Sequence, residues 1–216
     1  MPTPIVHLCV AKELIEALGV QDRPGFYLGS IAPDAMYLAP TYYDTDGYYE
    51  RYRAAHLLRG DFTQWRAAVR AFAQEHNAGE QREFYLGYGV HILTDIRWKE
   101  MVLPAFERAY TDVSGEERRA IYYRDAAQFD IECYEKCRLR SGVWPCLADA
   151  APFDAGELVR AHEMKSWKEN TLQLFDHEEG RKNRRAEYFS HDRILGFIMD
   201  TATNIQEDYP CTLTRN

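Results

Sequence analysis

Surplus basic charge, long apolar runs and paired cysteines are all scarce in this 216-residue chain. Lys and Arg number 26 against 34 Asp and Glu, and the resulting net charge of −8 opposes the counterion release behind non-specific nucleic-acid binding. Neither a DNA-coating protein nor a stable nucleic-acid partner is expected. No window reaches the roughly 18 consecutive apolar residues of a membrane span, so no transmembrane segment is expected. The first 20 residues have no basic region ahead of an apolar stretch, and Lys12, Glu13 and Glu16 interrupt any signal core. The expected location is cytoplasmic. The cysteines, Cys9, Cys133, Cys137, Cys146 and Cys211, are odd in number and include no C-x-x-C pair. That speaks against a disulfide framework or a zinc ribbon and for reduced thiols.

Alternating β-branched runs bounded by turn pairs are also nearly absent, whereas helix signals recur throughout. The expectation is an all-α multi-helix bundle, with residues 1–216 forming one domain. Thr3–Pro4 opens a helix that runs through Leu14, Ile15 and Leu18 to a Gly19 cap and carries His7. Asp61 caps a second segment toward His76, and a third runs from about Gln81 past Ile96, with Pro104 as its limit. Ser114 with Glu117, and Asp154 with Glu157, have capping-box spacing, so a helix is expected after each. Ser190 caps the last helix, through Ile194, Phe197, Ile198 and Ile205.

Tyr37–Tyr49, with five tyrosines, reads as a long loop able to stack a base or cover an apolar substrate, or simply packed as a loop. Ser141–Phe153, with Gly142, Pro145 and Pro152, reads as a second loop. The basic run at 181–185 reads as a solvated turn between helices, with phosphate binding as the lesser reading. The tetrapeptide FYLG occurs at Phe26–Gly29 and again at Phe84–Gly87, where a small residue lets helices approach. It marks two helices that face one centre.

His91 and Asp95 are four residues apart on the third helix, on one face, where two side chains can grip one metal ion. Alone such a pair is more often a surface hydrogen bond than a metal site, but its apolar neighbourhood demands a counter-charge for a carboxylate. His7, Asp34 and His56 are the other ligand-type residues of the N-terminal half. Each has a bland alternative: a core histidine, or a carboxylate that caps a helix. Asp125 and Asp130 are weaker candidates to face the metals, and Cys133 and Cys137 share a helix face as small core thiols.

Taken in order, His7, Gly29-Ser-Ile-Ala-Pro-Asp34, His56 and the stretch Phe84–Asp95 resemble the zinc-dependent phospholipase C family, akin in structure to zinc-dependent single-strand nucleases. The resemblance covers about residues 4–100. It implies a helical bundle whose central zinc is held by Asp34, His56, His91 and Asp95, with His7 and a bridging Asp95 serving a second zinc. One or two Zn2+ ions are therefore expected. It also implies a phosphoester hydrolase in which a zinc-activated water attacks phosphorus and Asp34 orients that water or acts as its base. Members with three zincs carry further His and Glu ligands where this chain has Arg97, Trp98 and Lys99, so the third site is lost or rebuilt. His162 lacks the family's His-x-x-x-Glu spacing, while Asp130 and His191 are left as downstream candidates. The expected partner is a phosphoester small molecule or a phospholipid head group. Two further readings stay open: a non-catalytic helical protein with a structural metal or degenerate site, and a nucleotide or sugar phosphomonoesterase.

Overall fold

The computed structural model describes residues 1–38, 45–176 and 186–208. These residues build helices and no strand, so the chain is all-α. The centre is α5 (Arg82–Arg97), buried on nearly every side from Phe84 to Ile96. A helix that is apolar all round has no face to offer water and belongs inside. Around it pack α1 (Pro4–Leu14), α2 (Arg23–Gly29), α4 (Phe62–Glu75) and α10 (His191–Asp208). The last two show the expected stripes: Trp65, Val69, Phe72 and Ala73 on α4, and Ile194, Phe197, Ile198, Ala202 and Ile205 on α10. Core side chains from Ile5 to Ile205 form one contiguous cluster.

Several helix starts lie where caps predict them. Asp61 accepts from the Gln64 amide at 2.9 Å to start α4, and Ser114 accepts from the Glu117 amide at 3.1 Å to start α7 (Gly115–Lys136). The first helix stops at Leu14, short of the expected Gly19 end, and Gly19, at φ +60, instead closes the turn that follows it.

The FYLG pair forms the closest crossing. A Cβ on Gly29 would stand 2.0 Å from the Phe84 carbonyl oxygen, and one on Gly87 2.1 Å from the Phe26 carbonyl oxygen. Each tetrapeptide supplies the bare backbone on which the other rests. Only glycine at both positions permits this approach.

Several expectations need correction. Pro104 does not end the third helix. A π-helical stretch, Trp98–Val102, widens the chain after α5, and Pro104 enters the first turn of α6 (Leu103–Ala109), where a missing N–H costs little. Tyr37–Tyr49 is not one long loop: a 3-10 helix spans Ala32–Leu38 and α3 spans Thr45–Ala55, so Tyr48 and Tyr49 are helical. Residues 39–44 lie outside the described residues.

Ser141–Phe153 is helical over most of its length, as α8 (Leu139–Asp149), with Pro145 inside it. Leu139, Val143 and Leu147, four apart and fully buried, outweigh the proline's lost hydrogen bond. The break falls earlier, at Arg138, whose φ is +56. No helix follows Asp154, which accepts from the Gly156 amide at 3.0 Å in a turn. The next helix, α9 (Ala161–Leu172), begins later, where Glu163 accepts from the Arg160 amide at 2.9 Å. Residues 177–185, with the basic run and His177, and residues 209–216, with Cys211, lie outside the described residues.

Candidate metal centre

Four elements bring the five sequence-selected residues together. His7 comes from α1, Asp34 from the 3-10 helix, His56 from the turn just after α3, and His91 and Asp95 from α5. Asp34 is 4% exposed and the other four are fully buried.

Their facing atoms do not hydrogen-bond to one another. His56 Nε2 lies 3.4 Å from Asp34 Oδ1 and 3.6 Å from Asp95 Oδ2. His91 Nε2 lies 3.8 Å from Asp34 Oδ1 and 3.6 Å from Asp95 Oδ2. Hydrogen-bonded pairs would close to about 2.9 Å. Four ligands about 2.0–2.2 Å from a zinc ion stand roughly 3.3–3.6 Å apart along the edges of a tetrahedron, and these separations match that figure far better. The other carboxylate oxygen, Asp95 Oδ1, lies 3.6 Å from His7 Nε2. One carboxylate thus faces two donor groups from opposite oxygens. His7 Nε2, Asp34 Oδ1, His56 Nε2, His91 Nε2 and both Asp95 oxygens are buried with no hydrogen-bond partner among the described residues. Two carboxylates and three imidazoles left so in a dry interior would cost several kcal/mol each, roughly, without a cation. The donor set therefore fits a divalent metal of the zinc type.

Outer contacts aim the rings. His91 Nδ1 is 2.9 Å from the Ser30 carbonyl and His56 Nδ1 is 3.2 Å from the Tyr52 carbonyl, which turns each Nε2 toward the carboxylates. The Ser30 carbonyl follows the Gly29 crossing, so the α2–α5 approach also sets His91. The Trp65 indole donates to the His56 carbonyl at 2.7 Å, and the Tyr88 hydroxyl to the Ala55 carbonyl at 2.5 Å. The His7 and His91 rings stack at 3.7 Å.

Burial comes first among the causes that push the His7 imidazole well below its ordinary range, followed by the neighbouring His91 and His56. Burial also raises the Asp95 carboxyl, against the pull of those two rings. At Asp34 burial acts upward too, but His91 and His56 outweigh it and hold the carboxyl low.

Residues 6–98 match the family model of zinc dependent phospholipase C. That span, 93 of the 216 residues, is similar to the zinc-dependent phospholipase C family. All five residues lie within it. No curated protein and no solved structure matches the chain.

The positions that depart from the three-zinc family pattern have other work here. Arg97 pairs with Asp200, and Trp98 packs against Phe189 and Phe197. Lys99 reaches the Tyr52 hydroxyl at 3.0 Å and lies over the Trp65 ring at 4.9 Å. Sequence reasoning missed Lys99, although it follows Asp95 by one helical turn. It also missed Tyr52, which precedes His56 by one turn.

The downstream candidates do not join the cluster. Asp125 is fully buried, but its Oδ2 accepts from the amides of Glu187, Tyr188 and Phe189 at 3.0, 2.6 and 3.3 Å, fastening the approach to α10 onto α7. Asp130 accepts from the Thr3 hydroxyl at 2.5 Å. His162 is exposed, and the ring of His191 lies 6.3 Å from that of Phe129 on α7.

Proposed function

We propose that this chain is a metal-dependent phosphoester hydrolase using a zinc-activated water, with one or two Zn2+ ions held by His7, Asp34, His56, His91 and Asp95. The observation that carries the reading is the set of buried nitrogen and oxygen atoms, unpaired and at ligand-to-ligand spacing, inside the span that matches the family. Zinc supplies acidity to a bound water and positive charge to a phosphoryl group under attack.

The chain's own residues do the rest. The Ser30 and Tyr52 carbonyls fix the tautomers of His91 and His56, so that both rings offer a lone pair. Asp95 turns Oδ2 toward His56 and His91 and Oδ1 toward His7, a bridging arrangement for two ions. Asp34, held ionised, orients the attacking water or acts as its base. Lys99 adds a fixed cation where three-zinc relatives carry further ligands, and faces the phosphoryl oxygens.

The substrate is a phosphoester small molecule or a phospholipid head group, and the setting is cytoplasmic, with one domain over 1–216. No stable nucleic-acid partner is part of this reading. The test is turnover of a phosphoester panel, soluble nucleotides and sugar phosphates beside micellar lecithin, by the zinc-loaded chain and its His91→Ala/Asp95→Ala variant. Loss of turnover in a variant that keeps its helical circular dichroism supports the proposal. Undiminished turnover refutes it, as does an inert parent chain whose zinc only raises its Tm.

A further inference from the structure

A second cluster of metal-ligand atoms lies on the other side of α1. Cys9 on α1 faces Cys133 on α7 with 3.3 Å between sulfurs, and Cys133 lies 3.1 Å from the sulfur of Cys137, at the end of α7. All three sulfurs fall within 4.8 Å of one another. Cys9 and Cys133 are buried and Cys137 is half-buried.

Core packing alone explains this poorly. A thiol is a weak hydrogen-bond donor and a weak acceptor, so three of them gathered at one point gain little that three methyl groups would not. A disulfide explains it no better. Cys133 stands between two sulfurs at nearly equal distances, so a bond to either one strands the other. A single thiophilic cation uses all three. Zinc–sulfur bonds of about 2.3 Å put the sulfurs of a tetrahedral site roughly 3.8 Å apart, so the 3.3 and 3.1 Å separations here would open by roughly 0.5 and 0.7 Å on binding. Cys133 and Cys137 also repeat the i, i+4 spacing of His91 and Asp95, with the third ligand again supplied by α1.

We propose that Cys9, Cys133 and Cys137 form a second metal site, for a soft divalent cation of the zinc class, that clamps α1 onto α7. Binding releases three thiol protons to solvent and forms three metal–thiolate bonds. His191 is a candidate for the fourth position. Its Nδ1 is buried without a hydrogen-bond partner among the described residues, and its ring neighbours Phe129, one turn before Cys133. Because Cys9 follows His7 by two residues, the clamp would also steady the helix that carries His7.

The probe is Co2+, titrated into the reduced, chelator-treated full chain carrying His91→Ala/Asp95→Ala, so that the nitrogen–oxygen cluster is disabled. The expected result is one bound equivalent with a sulfur-to-cobalt charge-transfer band in the near ultraviolet. Cys137→Ser should lose about a third of that band, as one of three thiolates, or all of it. Cys146→Ser, outside the trio, should leave it intact. If the disabled background does not fold, Cys137→Ser in the otherwise native chain should lower the metal content by one equivalent. No charge-transfer band, or an intact mass short by two hydrogens with Cys9 and Cys133 unreactive to thiol reagents, would overturn the proposal.

Discussion

Gly29 and Gly87 hold each other's helices in reciprocal contact. Each lies where a Cβ would meet a carbonyl oxygen of the other FYLG tetrapeptide, Phe84 for Gly29 and Phe26 for Gly87. The obstacle is backbone on both sides, so no side-chain rotation relieves it. Gly29→Ala and Gly87→Ala should each lower stability by about 1–3 kcal/mol, toward the upper end. Because Ser30 follows Gly29 and orients His91, both should also weaken metal binding, read by urea unfolding and by zinc titration of the same samples.

Asp125 should prove structural. Removing its carboxylate in Asp125→Ala strands three amides, Glu187, Tyr188 and Phe189, and the loss should be about 3 kcal/mol or more. Metal content per folded chain should stay at the parent value in elemental mass spectrometry. A fall in metal content with stability unchanged would make Asp125 a ligand after all.

His7 and its bridging partner predict a count. If Asp95 serves two ions, His7→Ala should take the nitrogen–oxygen cluster from two zinc equivalents to one, while His91→Ala should empty its central position. An unchanged count in His7→Ala would leave His7 as a stacking partner of His91 and nothing more.

The buried His7 also predicts a pH dependence for chelator-treated protein. Its folded pKa lies below the ordinary 6.5, so below about that pH the unfolded chain takes up a proton that the folded chain refuses. Stability should therefore fall as pH drops from 7 toward 5.5, by up to about 1.4 kcal/mol per pH unit for this one group. Asp95, whose folded pKa is raised, takes up a proton in the folded state and works in the opposite direction. Comparing Tm across pH for the parent and His7→Gln isolates the imidazole, and identical slopes would reject the assignment.

The local chemistry was legible in the sequence. Asp61 and Ser114 predict helix starts because a cap acts within one turn of the backbone it satisfies. The i, i+4 spacing of His91 and Asp95 puts both on one face in any α-helix, and the order of His7, Asp34 and His56 before them carries the family resemblance. The tertiary structure decided whatever depends on partners far along the chain. Pro145 sits inside a helix because three buried side chains outweigh one lost hydrogen bond. Asp125 turned away from the cluster because three amides beginning 62 residues later claimed it. Cys9 and Cys133, 124 residues apart, met only when α1 packed on α7. Caps and periodicities act over a turn or two of chain, whereas the side on which a residue finds its partner is set by how whole helices pack. That distance divides what this sequence determined alone from what only folding could settle.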